Sequence, residues 1–188
     1  MSERAFVVAL LGAESTGKTT LAAEVGAVLA ARGRRVEVVG EALREFCDRQ
    51  ARTPRRDEQA AIAAAQSERI DAAAGRAEIV VADTSALMIA VYSDFVFADE
   101  SLYASALAAQ RRCDLTLVTA LDLPWRPDGL QRDGAHVRAP VDALLRAALA
   151  GAGIAVTTVD GVGTDRAEAA LRAIDAALAS AATGRQST

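Results

Sequence analysis

Residues 12–19 read G-A-E-S-T-G-K-T, and the reading of this stretch decides the fold. It fits the phosphate-binding loop pattern G-x-x-x-x-G-K-[ST]. Before it, residues 5–11 (A-F-V-V-A-L-L) form an apolar run of strand length; after it, residues 19–31 carry apolar side chains at helical spacing. Strand, glycine loop, helix is the order that phosphate binding needs. A helix N-terminus offers unpaired N–H groups and a partial positive charge. The loop curls those donors around phosphate oxygens. The cradle predicted here takes in Gly12, Glu14, Ser15, Thr16 and Gly17 and runs into the helix at Lys18, Thr19 and Thr20. Lys18 is placed to reach the terminal phosphates, and the Thr19 hydroxyl to ligate Mg²⁺. The bland alternative is a βα turn with a coincidental Lys-Thr. Requiring the flanking strand and helix makes that coincidence rare, so the chain is expected to bind a nucleoside triphosphate with Mg²⁺.

Composition narrows the class. The 188 residues suit one domain, expected over residues 1–180 with a frayed tail at 181–188. Hydrophobic residues make up 52% and charged residues 24%, as in an ordinary globular protein. The net charge of −4 speaks against nucleic acid as the main partner. Two arginine clusters, at residues 32–35 and 52–56, are short and interrupted and read as solvated loops. Cys47 and Cys113 form no C-x-x-C pair, and His136 is the only histidine, so no structural zinc site is expected. Both thiols are expected reduced, in the cytoplasm. The sequence shows no signal peptide and no membrane-spanning run, so no membrane partner is expected. The oligomeric state is left open.

Five apolar runs read as buried strands: residues 5–11, 35–39, 78–82, 114–119 and 154–159. Most are continuous rather than alternating, as when both faces of a parallel sheet are covered. Helical stretches at 57–74, 102–112, 141–150 and 166–179 separate them. The alternation predicts an α/β fold, a doubly wound parallel five-stranded sheet of the P-loop NTPase type with helices on both faces.

Phosphoryl transfer needs held phosphates, a metal, a group near the attacking hydroxyl and cations for the developing charge. Asp83 ends the run I-V-V-A-D and would face Mg²⁺ or the substrate; a helix N-cap at D-T-S, residues 83–85, is the alternative. Glu41 follows the second strand, where the ligand crevice of such sheets lies. Arg44 shares its helical face, and a surface ion pair is the alternative. Residues 124–140 show no clear periodicity and read as a closing lid, or else as a surface loop. This stretch holds Trp125, which either stacks on a flat ring or covers the sheet edge. It also holds Arg126, Arg132 and Arg138 as candidates to grip the transferred phosphate. His136 reads as a solvated loop residue, and Tyr92 to Phe95 as core packing rather than a pocket wall.

Four stretches in this order, G-A-E-S-T-G-K-T-T-L, E-A-L-R-E-F (41–46), A-D-T (82–84) and D-L-P-W-R-P-D-G-L (122–130), resemble the ribosylnicotinamide kinase domain of bifunctional NAD-salvage proteins of the NadR type. The resemblance implies transfer of the ATP γ-phosphate to the 5′-hydroxyl of nicotinamide riboside. It puts Lys18 and Thr19 on the phosphates and Mg²⁺. Asp83 falls at the family's acidic position, and Glu41 and Arg44 lie near the substrate. Asp128 belongs to the lid, and Gly161 to the loop that meets adenine. Two positions depart from the pattern. The family carries D-T-D where this chain has Ser85 in third place. It also has arginine directly after D-G-L, where this chain has Gln131 and then Arg132.

A small-molecule kinase is therefore the leading expectation, acting on a nucleoside-like substrate. A P-loop ATPase switch or accessory protein is the runner-up. A GTP switch is weaker because no N-K-x-D guanine-reading motif occurs. Adenylate-type kinases place glycine where this chain has Ser15. An AAA+ motor would need a second helical domain, for which the chain has little room.

Overall fold

The computed structural model describes residues 4–126 and 134–185. The chain runs β1 (Phe6–Leu11), α1 (Lys18–Ala31), β2 (Val36–Val39), α2 (Ala42–Gln50), α3 (Gln59–Ala74), β3 (Ile79–Asp83), α4 (Ala86–Phe97), α5 (Tyr103–Gln110), β4 (Leu115–Thr119), α6 (Arg138–Gly151), β5 (Thr157–Val159) and α7 (Thr164–Arg185). Short 3₁₀ turns at Arg56–Glu58 and Ala135–Val137 lead into α3 and α6.

All five strands pair in parallel, in the order β2-β3-β1-β4-β5. The chain first goes out to the edge strand β2 and returns with β3 beside β1, then crosses to the other side of β1 between β3 and β4. That reversal makes the carboxyl end of β1 a topological switch point, where α/β sheets bind ligands. The glycine loop leaves the sheet there.

The apolar run of β1 serves both faces by simple alternation. Phe6, Val8 and Leu10 pack with Leu21, Val25 and Leu29 of α1 and Leu171 and Ile174 of α7. Ala9 and Leu11 turn to the opposite layer, built on Leu87 and Ile89 of α4 and Leu145 and Leu149 of α6. Val8 through Leu11 are fully buried, each leucine contributing about 1.5–3 kcal/mol on removal from water. This two-sided burial explains why the strand reads as continuous rather than alternating.

Three boundaries differ from the sequence reading. The fifth strand is only Thr157–Val159, because the Ile154 N–H is taken by Leu149 O in closing α6. The stretch expected as one helix from residue 57 opens with a 3₁₀ turn before α3. Helix α7 continues to Arg185, past the point where a frayed tail was expected, with Ala177 and Ala181 packed against the α1 layer. Helix α1 stops just before Gly33. With φ 81 it lets the Gly33 and Arg34 N–H groups turn back to Ala30 O and Leu29 O. Among the described residues, no helix is long and apolar enough to cross a membrane.

Candidate active site

Between β1 and α1 the loop folds around its own side chains. The buried Thr16 hydroxyl donates to Ala13 O at 2.8 Å and accepts from the Thr119 hydroxyl, at the end of β4, at 2.7 Å. Gly12 has φ 145, and a Cβ there would lie 2.1 Å from Thr119 Oγ1. Glycine is thus required both for the backbone angle and for the close approach of β4. The Lys18 ammonium lies across the loop and donates to Gly12 O at 2.8 Å and Ala13 O at 2.9 Å.

The loop floors a cavity of about 1060 Å³. Gly12 and Glu14 through Thr20 line one end. The other end is walled by the loop after α2 (Thr53 to Arg56), by Gln59 of α3, and by Met88, Tyr92 and Phe97 of α4. Glu41 and Arg44 line the cavity as well. They form an ion pair at 3.7 Å in which the Glu41 side chain is only 15% exposed. The pair allowed for as a surface contact therefore exists, but in the cavity wall.

Lys18, Arg44 and Arg126 bring cations to the cavity, Arg44 beside its partner Glu41. At the far rim the arginines are matched. Arg52 grips both Glu58 carboxylate oxygens at 2.7 Å, and Arg56 holds Asp99 at 2.7 Å. The Arg52 bonds, with the Arg55 N–H, hold the Glu58 carboxyl down to about 2. Arg56 holds Asp99 below the usual carboxylate range. Residues 53–56 of the cluster read from sequence as a solvated loop at 52–56 thus also line the cavity. Tyr92, read as core, lines the cavity while packing against the main core.

Asp83 ends β3 in register with Leu10, two residues before the loop, and is 2% exposed. Its Oδ1 is buried without a hydrogen-bond partner. It does not itself line the cavity; its neighbour Thr84 does. The helix start read at D-T-S is present, but its cap is Ser85 and not Asp83: the Ser85 Oγ accepts the Leu87 N–H at 3.2 Å. Ser85 in turn donates to buried Gln110 Oε1 at 2.6 Å. The position where the resembled family has its second carboxylate thus faces the core.

Past β4 the chain docks on the loop. The Trp125 indole N–H donates to Glu14 Oε1 at 2.9 Å, so Trp125 neither lines the cavity nor only covers an edge. The Arg126 N–H donates to Ser15 Oγ at 2.8 Å, and the Arg126 side chain lines the cavity. Arg138, a third lid candidate, is instead buried at the start of α6 and donates to Leu123 O at 2.9 Å. His136 is exposed. Asp128 and Arg132 lie outside the described residues.

Sequence reasoning missed Arg166. It is 4% exposed and donates to Thr16 O at 2.7 Å and Gly161 O at 2.8 Å, and pairs with Asp122. The Asp122 carboxylate also accepts the Gly161 N–H at 2.7 Å. One guanidinium therefore fastens the glycine loop to the chain leaving β4 and to the Gly161 turn after β5. Arg166→Ala would leave the buried Thr16 O and the part-buried Gly161 O without their partner and Asp122 without its counterion. A loss of about 2–4 kcal/mol is expected, read as a melting temperature lower by roughly 5–10 °C. Arg166→Lys should not restore it, since an ammonium cannot span the fork.

The residues fit Mg²⁺. That ion takes one or two protein oxygens and completes its shell with water and phosphate oxygens. The Thr19 hydroxyl on the cavity and the unpartnered Asp83 Oδ1 beside the loop are such oxygens. Among the described residues no cluster of three or more His, Cys, Asp or Glu forms an all-protein metal cage.

The fold is shared with solved structures. A NadR protein in complex with NR is 23% identical, with a TM-score of 0.73 over 90% of this chain and 50% of that one. A NadR protein in complex with NAD and AMP-PNP is 22% identical, with a TM-score of 0.69 over 90% of this chain and 48% of that one. The chain thus spans about half the length of these NadR proteins. Thymidylate kinase from Ehrlichia chaffeensis is 14% identical, with a TM-score of 0.64 over 93% of this chain and 99% of that one. No curated protein matches in sequence. The family profile described as AAA domain matches residues 7–166, the α/β unit from β1 to the Arg166 clamp. On that match, and with a phosphate loop seated at the switch point of a parallel five-stranded sheet, the chain belongs to the AAA-domain family of P-loop proteins.

Proposed function

We propose that this protein is an ATP- and Mg²⁺-dependent kinase that phosphorylates the 5′-hydroxyl of a nucleoside, nicotinamide riboside above all. One observation carries the reading: the cavity of about 1060 Å³ floored by the phosphate loop is lined as well by residues of α2, α3 and α4, beyond what the loop itself contributes. A switch ATPase needs the loop only. The order of motifs, with E-A-L-R at residues 41–44 and P-W-R-P-D-G-L at 124–130, supports the choice of nucleoside. So does the likeness in fold to a NadR protein in complex with NR.

In this reading the loop N–H groups and Lys18 bind the ATP phosphates, and the Gly161 turn flanks the adenine. Thr19 and Asp83 would hold Mg²⁺, which shields the phosphate charge when bound. Glu41, held by Arg44, orients the attacking hydroxyl and accepts its proton. Arg44 and Arg126 offset the charge that spreads over the transferred group. We place the reaction in the cytoplasm, in keeping with Cys47 and Cys113 standing as thiols rather than in a disulfide among the described residues.

The test is ADP release with nicotinamide riboside, with other ribonucleosides and with no acceptor. Nicotinamide riboside should raise the rate at least about tenfold above the acceptor-free rate. Equal rates in all three conditions would establish the ATPase instead.

A further inference from the structure

Helix α3 carries two buried glutamines seven residues apart, on one face. Gln66 is fully used. Its Oε1 accepts the Ala42 N–H at 2.7 Å and its Nε2 donates to Thr84 O at 3.3 Å. It ties the start of α2 to the turn after β3. Gln59 is different. It lines the cavity and is 5% exposed, yet its Oε1 is buried with no hydrogen-bond partner among the described residues. Thr84 repeats the pattern: it lines the cavity, is 1% exposed, and its Oγ1 is also unpartnered. It does so at φ 77, a strained angle for a β-branched residue.

Leaving such atoms unpaired costs about 1–3 kcal/mol each, so neither serves the fold. Their surroundings say what would pair with them. Met88 and Tyr92 of α4 offer flat, largely apolar surface. The nearby cations are engaged, Arg56 by Asp99 and Arg55 by Asp57 and Glu58. Gln59 therefore stands in the cavity wall with an amide oxygen that is unpaired among the described residues and sealed from solvent; a turn of the amide would bring it to a ring bound there, while the arginines beside it leave no unmatched charge for a carboxylate.

We propose that Gln59 is a specificity residue whose Oε1 accepts a hydrogen bond from an amide-type N–H on the ring of the acceptor nucleoside. Two sources share that chemistry: the carboxamide of a pyridine riboside and the ring N–H of a pyrimidine. Acceptors that lack the donor, or carry a carboxylate in its place, leave Gln59 unpaired and are rejected. The inference rests on the kinase reading above.

The experiment compares kcat/KM of the full chain, with ATP and Mg²⁺, on two matched pairs. One pair is nicotinamide riboside against 3-acetylpyridine riboside; the other is uridine against N3-methyluridine. In the pair that the enzyme accepts, wild type should favour the donor-bearing member at least tenfold. Gln59→Leu should erase that preference, lowering kcat/KM for the donor-bearing member about tenfold or more, chiefly through KM. Its melting temperature should stay level or rise, because the substitution removes no bond to Oε1. Gln59→Met, closer in shape, serves as a second variant should the leucine form melt early. A merely structural residue would lower the melting temperature and slow both members of a pair alike. Retention of the wild-type preference in both variants overturns the inference and leaves the kinase standing. Absence of transfer to all four nucleosides in wild type overturns both.

Discussion

Lys18→Ala should lose phosphoryl transfer by about 10³-fold or more while the protein stays folded. The lysine sits at the centre of the loop, its ammonium 2.8 Å from Gly12 O and 2.9 Å from Ala13 O. The phosphates would have to lie over these same carbonyls, so the ammonium need move little to meet them. Charge on a transferring phosphoryl group grows at its oxygens in the transition state. Removing one preorganised donor from such a site costs about 10²–10³ in rate, and a mobile full charge costs more. Stability should change little. Ala13 O keeps its bond from the Thr16 hydroxyl and Gly12 lines the cavity, where water can replace the ammonium, so the loss is about 1 kcal/mol, a few degrees in melting temperature. Lys18→Met, which keeps the chain length, should be equally inactive. Single-turnover transfer and thermal melting on the same samples decide the matter. Full turnover in either variant would remove the phosphate role from this loop.

The parts legible in sequence are those whose physics is local. The glycine loop announces itself because two glycines, a lysine and a threonine must fall within eight residues. β1 announces itself because a strand covered on both faces has no polar positions to alternate. The rest depends on partners far away in the chain. Arg166 donates to Thr16 O across 150 positions, and residues 160–166 alone read only as a helix start. The 52–56 cluster looked solvated because its counterion Asp99 stands 43 residues beyond Arg56. Ser15 is an intermediate case. It holds φ 54, an angle suited to the glycine of adenylate-type kinases. What serine adds is a hydroxyl, and that hydroxyl bonds the Arg126 backbone. The D-T-S stretch was ambiguous for a related reason. The left-handed turn at Thr84 leaves Asp83 in the sheet and sends Ser85 to the helix, a division that no residue preference reveals.

That division sets up the second large effect, Asp83→Asn. Asp83 is 2% exposed, and its Oδ1 has no partner among the described residues. A buried oxygen of this kind costs stability, so something outside the chain is expected to reward it. Its place at the end of β3, beside the strand that feeds the loop, suits a water or ligand position of Mg²⁺. Asn keeps the shape but not the carboxylate. Turnover should therefore fall by about 10²-fold or more, and the Mg²⁺ concentration for half-maximal rate should rise, because metal-assisted charge stabilisation is worth several kcal/mol. The melting temperature should hold or increase, since no hydrogen bond to Oδ1 is lost. Ser85→Ala is the paired control. It removes the α4 cap and the bond to Gln110, so it should cost about 1–2 kcal/mol in stability and leave turnover per folded molecule near wild type. Metal titrations and melts on both variants separate the two roles. If Asp83→Asn melts early and still turns over normally, the carboxylate is a structural group and the metal must be held elsewhere. If it is stable and slow, the unpartnered oxygen is the mark of the metal site.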